Sequence, residues 1–166
     1  RRRTGASGIV FARPQPTNAR GRLVARTMLL ATALGPLAAC SELAGLAPWW
    51  DTSRTEARAL ALALFVVALL GTFACQLAMR DSWRIGLDLE RRTALVTDGP
   101  YRFVRNPIYL CVFCASFALV AAVPNALAVA QLVATVVGFE WMVRWFEEPF
   151  LLEQHGAAYR EYAART

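Results

Sequence analysis

Between Ile108 and Phe139 the chain runs for 32 residues without a charge. A single straight helix of that length overshoots the roughly 30 Å hydrocarbon core of a bilayer. Pro124-Asn125 lies in the middle of the run and is a turn signal. The stretch therefore predicts a tight hairpin of two short membrane helices, over residues 108–123 and 126–143. Two further apolar runs precede it. Ala59 to Met79 is 21 residues without a charge, bracketed by Arg58 and Arg80, and is long enough to span a bilayer. Residues 27–46 form a second candidate, interrupted by Pro36 and Glu42. The expected class is an all-α polytopic membrane protein with about four transmembrane helices. Hydrophobic residues make up 57% of the chain and the mean hydropathy is +0.37, too apolar for an ordinary soluble domain.

The charge pattern orients these spans. The net charge is +6 and every basic residue is an arginine. Arginines crowd the N-terminal tail, the segment from Arg80 to Arg105 and the C-terminal segment, and none stands near Pro124-Asn125. Arginine-rich loops stay on the cytoplasmic side, so both termini are expected there. This divides the chain into a basic cytoplasmic tail, 1–26, and a single membrane domain, 27–166. Residue 1 is not methionine, so the sequence is expected to begin inside a longer gene product. The expected partners are the lipid bilayer and a lipophilic or small-molecule acceptor, with no nucleic acid. The oligomeric state is not legible. The four cysteines, Cys40, Cys75, Cys111 and Cys114, all fall in expected spans and read as small packing residues. His155 is the only histidine, and one imidazole cannot build a metal site.

Polar residues gather at one place. "DGPYRFVRNPIY", Asp98 to Tyr109, leads from a charged loop into the hairpin. "TDGPY" reads as a turn, and Pro107 opens the third span, where its missing N–H costs nothing. A helix entrance of this kind offers unpaired backbone N–H groups to an anion. The fourth span continues as "EWMVRWFEEPFLLEQHGAAYREY", with Glu147 and Glu148 adjacent, Pro149 able to bend or restart the helix, and Tyr159 and Tyr162 on one helical face. Hairpin partners have neighbouring ends, so the arginine and tyrosine cluster and the carboxylate pair are brought together at the membrane surface. Polar groups at such a mouth mark a functional site.

These residues resemble the isoprenylcysteine carboxyl methyltransferase family and its bacterial phospholipid-methyltransferase-like relatives. The family pattern is Gly-x-Tyr-x-x-x-Arg-His-Pro-x-Tyr, a helical hairpin, Glu-Glu-x-x-Leu, then Gly-x-x-Tyr-x-x-Tyr. It is met by Gly99, Tyr101, Arg105, Asn106, Pro107 and Tyr109, by Glu147, Glu148 and Leu151, and by Gly156, Tyr159 and Tyr162. The match covers residues 83–162, the expected catalytic part. The resemblance implies an integral membrane enzyme, in a bacterial inner membrane, with S-adenosylmethionine in a cytoplasmic pocket. The implied cofactor contacts are Thr93, Ala94, Leu95, Val96, Gly99, Tyr101, Arg105, Asn106, Pro107, Ile108, Tyr109, Glu147 and Tyr159. Arg144 and Glu148 are the candidate catalytic residues. Asn106 replaces the family histidine and cannot act as an acid or base near neutral pH. Val143 stands where relatives carry a substrate-side arginine, so Arg144 is the candidate to replace it. Arg144 lies four residues from both Glu140 and Glu148, and either could hold it. The expected acceptor is a lipophilic thiol, carboxylate or amine. Two other readings are a membrane reductase of the sterol-reductase type binding NADPH and a non-enzymatic membrane scaffold.

Overall fold

The computed structural model describes residues 18–45, 55–79 and 94–166. Every regular element among them is helical: α1 (Ala19–Leu43), α2 (Thr55–Met79), a 3₁₀ turn (Gly99–Arg102), α3 (Pro107–Ala122), α4 (Ala126–Met142), a π-helical turn (Val143–Glu147), α5 (Glu148–His155) and α6 (Ala157–Arg165). α1, α2 and the continuous helical stretch Ala126–His155 are long and apolar enough to cross a membrane, and α3 is a shorter apolar helix. The all-α polytopic class is the one observed.

Helix α1 begins well ahead of residue 27. Asn18 caps it, its side-chain oxygen accepting from the Gly21 N–H at 2.8 Å. Arg20, Arg22 and Arg26 lie within the helix. Arginine is a good helix former, so the charge boundary marks where the helix would enter lipid and not where it starts. The hairpin bounds lie within a residue of those expected. At its tip Pro124 is fully buried. Asn125 caps α4 through the Ala128 N–H at 2.9 Å, and its amide nitrogen donates to the Ala38 carbonyl at 3.3 Å and to Ser41 Oγ at 2.9 Å. One residue thus closes the hairpin and pins it to α1.

The helices are not packed in chain order. α1 lies along α4, α2 lies along α3, and the hairpin partners α3 and α4 sit between them. The ends of α1 and α2 are joined by an Arg58–Glu42 ion pair at 2.7 Å. The outer helices bury narrow seams of small residues: Val24, Ala31 and Ala38 on α1, and Ala61, Ala68 and Cys75 on α2. Both seams repeat every seven residues, the period of helices running side by side. Large apolar residues such as Leu29, Leu37, Leu62, Phe65, Leu69 and Phe73 face outward, as suits a lipid solvent in which small residues make the helix contacts. Two glycines set the closest approaches. A Cβ on Gly71 would stand 2.9 Å from Cys111 Sγ, and one on Gly138 would stand 3.1 Å from Met28 Cε. Cys75 and Cys111 are therefore packing residues of the α2–α3 seam, and all four cysteines are free thiols.

Candidate active site at the hairpin mouth

The entrance is built from the turn inward. Ala94 to Thr97 has no regular secondary structure and leads to Asp98, whose backbone is extended, and the 3₁₀ turn. Gly99 has φ +61°, a left-handed conformation that glycine adopts without a Cβ penalty. The turn closes through the Phe103 N–H to the Pro100 carbonyl at 3.2 Å. Tyr101 is buried beneath it. Asn106 precedes α3, and its carbonyl accepts from the Tyr109 and Leu110 N–H groups. Its side chain makes no capping bond and lines the cleft described below. Pro107 is buried as the first residue of α3.

The other wall comes from α4. Its last turn widens into a π turn, in which the Glu148 N–H bonds back to the Val143 carbonyl, five residues earlier. A single π turn inside an α-helix inserts one extra residue and is often found at functional sites. Pro149 follows in the first turn of α5, where it needs no N–H partner.

The π turn separates the carboxylate pair. Glu147 points to Tyr109, whose hydroxyl donates to Glu147 Oε1. Glu148 turns to Arg105 and forms an ion pair at 2.7 Å. Arg144 does not bridge both acids. Among the described residues it pairs with Glu140 alone, and its side chain is 69% exposed. The inserted residue breaks the regular four-residue spacing between Arg144 and Glu148, so the second expected ion pair is not formed. Behind these groups Tyr109 and Phe139 pack with tilted rings at 4.2 Å between centres, and Phe113 meets Phe139 edge-on at 6.0 Å.

Between α3 and α4 lies a cleft of about 480 Å³, within the size range of small-molecule sites. Arg105, Asn106, Glu140, Arg144 and Glu148 form its polar end. Leu110, Phe113, Phe139 and Val143 form its apolar wall, and Tyr109 lies between the two. The wall was not singled out from sequence. Its available signal was that Tyr109 and Phe113 are four residues apart and share a helix face.

Helix α6 folds back over this mouth. Gly156 makes the bend with φ +54°. Tyr159 and Tyr162 are buried, as their shared face predicts, and their rings lie 6.3 Å apart. The Tyr162 hydroxyl donates to the Tyr101 carbonyl at 2.7 Å. Burial pushes the phenols of Tyr101, Tyr159 and Tyr162 above their ordinary range, and Glu148 raises Tyr159 further.

The structure thus brings Tyr101, Arg105, Asn106, Tyr109, Glu147, Glu148 and Tyr159 around one mouth, with Gly99 shaping the turn. Ala94, Leu95 and Val96 lead into it. Ile108 is half-buried in the first turn of α3. Arg144 stands on the outer rim. Thr93 lies outside the described residues.

The chain matches the model of the phospholipid methyltransferase family over residues 57–158. No curated protein and no solved structure matches it. The family match takes in α2, the entrance turn, the hairpin, the divided carboxylate pair and the bend into α6, more than half of the sequence, and the chain therefore belongs to the phospholipid methyltransferase family of membrane methyltransferases.

Proposed function

We propose that the protein transfers a methyl group from S-adenosylmethionine to a lipophilic acceptor that enters the α3–α4 cleft from the bilayer. The observation that carries this reading is the division of the Glu147–Glu148 pair. Glu147 has a hydroxyl partner, Tyr109, but no cationic partner among the described residues. A half-buried carboxylate without a counter-ion suits a ligand that brings its own positive charge. The faces of Tyr101 and Tyr109 favour the same charge.

S-adenosylmethionine, when bound, supplies an electrophilic methyl group on a sulfonium. The residues present fit it. Glu147, Tyr101 and Tyr109 would hold its cationic groups, with Tyr159 closing the mouth. Arg105 and the first turn of α3 would receive a carboxylate. The apolar wall of the cleft keeps water from the reacting atoms and accepts a hydrocarbon chain. Glu148, at the cleft end of the pair, would take a proton from an amine or thiol acceptor. Arg144 and Glu140, on the rim, would orient the acceptor's polar head. The chemistry rests on alignment more than on acid–base machinery, which accords with Asn106 at the position of the family histidine.

Calorimetry on the detergent-purified protein tests this. S-adenosylmethionine should bind and NADPH should not. Glu147→Gln should weaken binding about tenfold to a hundredfold, the value of one charge-assisted contact, while the helical content stays the same. Failure of the wild-type protein to bind S-adenosylmethionine would overturn the reading.

A further inference from the structure

Tyr162 belongs to none of the cofactor or catalytic contacts named above, yet its hydroxyl makes a buried bond to the entrance. Tyr162 is 5% exposed and Tyr101 is 7% exposed, and the bond between the Tyr162 hydroxyl and the Tyr101 carbonyl spans 61 residues of sequence. Within the 3₁₀ turn the Phe103 and Val104 N–H groups both go to the Pro100 carbonyl. The Tyr101 carbonyl is met from outside, by α6. A buried carbonyl left without a donor is costly.

From this we infer that Tyr162 is a positioning residue: it fixes the Gly99–Arg102 turn from behind, and thereby sets the Tyr101 ring and the Arg105 side chain for ligand binding. Three further features support the assignment. Tyr101 carries the carbonyl that is held, and its phenol lies close enough to Glu147 to feel that carboxylate. Arg105, three residues beyond the turn, also lies beside Tyr159 of the same helix. Gly156 provides a bend that places α6 over the turn. The helix is a strap attached to the turn through Tyr162, with Tyr159 beside the arginine. The inference rests on the cofactor reading proposed above.

The test is Tyr162→Phe, which keeps the ring and removes only the hydroxyl, in the full chain in detergent. Hydrogen exchange at the Phe103 and Val104 amides should quicken about tenfold, the scale of one lost buried hydrogen bond. Exchange in the middle of α3 and α4 should not change. The dissociation constant for S-adenosylmethionine should rise by a similar factor, while kcat at saturating cofactor stays at the wild-type value. Arg160→Ala, on the exposed face of α6, should leave all of these unchanged. Unaltered exchange and affinity in Tyr162→Phe would overturn the assignment and leave Tyr162 a packing residue. Faster exchange throughout α3 and α4 would overturn it too, since the hydroxyl would then support the whole fold. If the wild-type protein binds no S-adenosylmethionine, the proposed function fails; the exchange comparison needs no ligand and still decides whether Tyr162 holds the turn.

Discussion

Arg105 and Arg144 face one cleft from opposite walls, and their surroundings give them different work. Arg105 is half-buried, paired with Glu148 and close to Tyr159. Arg144 is largely exposed and paired with Glu140, an arrangement worth at most about 1 kcal/mol to the fold. Arg144→Ala should therefore leave the thermal midpoint and cofactor affinity nearly unchanged. It should lower kcat/KM for the acceptor about tenfold, as expected for loss of one charged contact to the acceptor. A parallel fall in cofactor affinity would show instead that Arg144 supports the mouth as a whole. The cluster was legible in the sequence because hairpin partners end side by side, and Asp98 to Tyr109 had to meet Glu147 and Glu148. The pairing within the cluster was not. Residue spacing made Glu140 and Glu148 equal partners for Arg144, and only the backbone register at Val143 distinguishes them.

The π turn is where sequence reading ends at the level of elements. Pro149 signals a disturbance in the helix, but it does not say whether the chain will kink, restart or absorb an extra residue. The hairpin was legible because an uncharged run too long for one span contains a proline and an asparagine at its centre. The partners of α1 and α2 were harder to read. Both helices are apolar on nearly every face, and the seams are marked only by small residues at seven-residue spacing. The tightest of these contacts gives a measurable expectation. Gly71→Ala places a methyl group 2.9 Å from Cys111 Sγ and should destabilise the α2–α3 pair by about 1–3 kcal/mol. Adding Cys111→Ala in the same chain should recover most of that loss, because the two changes share one volume. Equal destabilisation in the single and double variants would mean that the backbones do not touch there.

Across the whole molecule, arginine placement predicts an orientation. The mouth built from Arg105, Glu148 and α6 is expected to face the cytoplasm, and the Pro124-Asn125 tip the opposite side. The tip is a poor place for a probe at Asn125 itself, since that side chain holds α1 through Ala38 and Ser41. Ala126 is exposed beside it. Ala126→Cys, in a chain with the four native cysteines replaced, should react with an impermeant thiol reagent in intact cells. Labelling only after permeabilisation would reverse the orientation. The all-helical membrane class and the hairpin were legible from charge and hydropathy, whereas the lateral order of the helices was not, because lipid-facing and helix-facing apolar residues look alike. That order has a consequence for how the protein is made. α2 meets its partner α3 as the next of these helices to emerge during synthesis, but α1 emerges before both and must wait for α4. Until then its seam of Val24, Ala31 and Ala38 faces lipid or the insertion machinery, so completion of the bundle is a late event in biogenesis, sealed when Asn125 reaches Ser41.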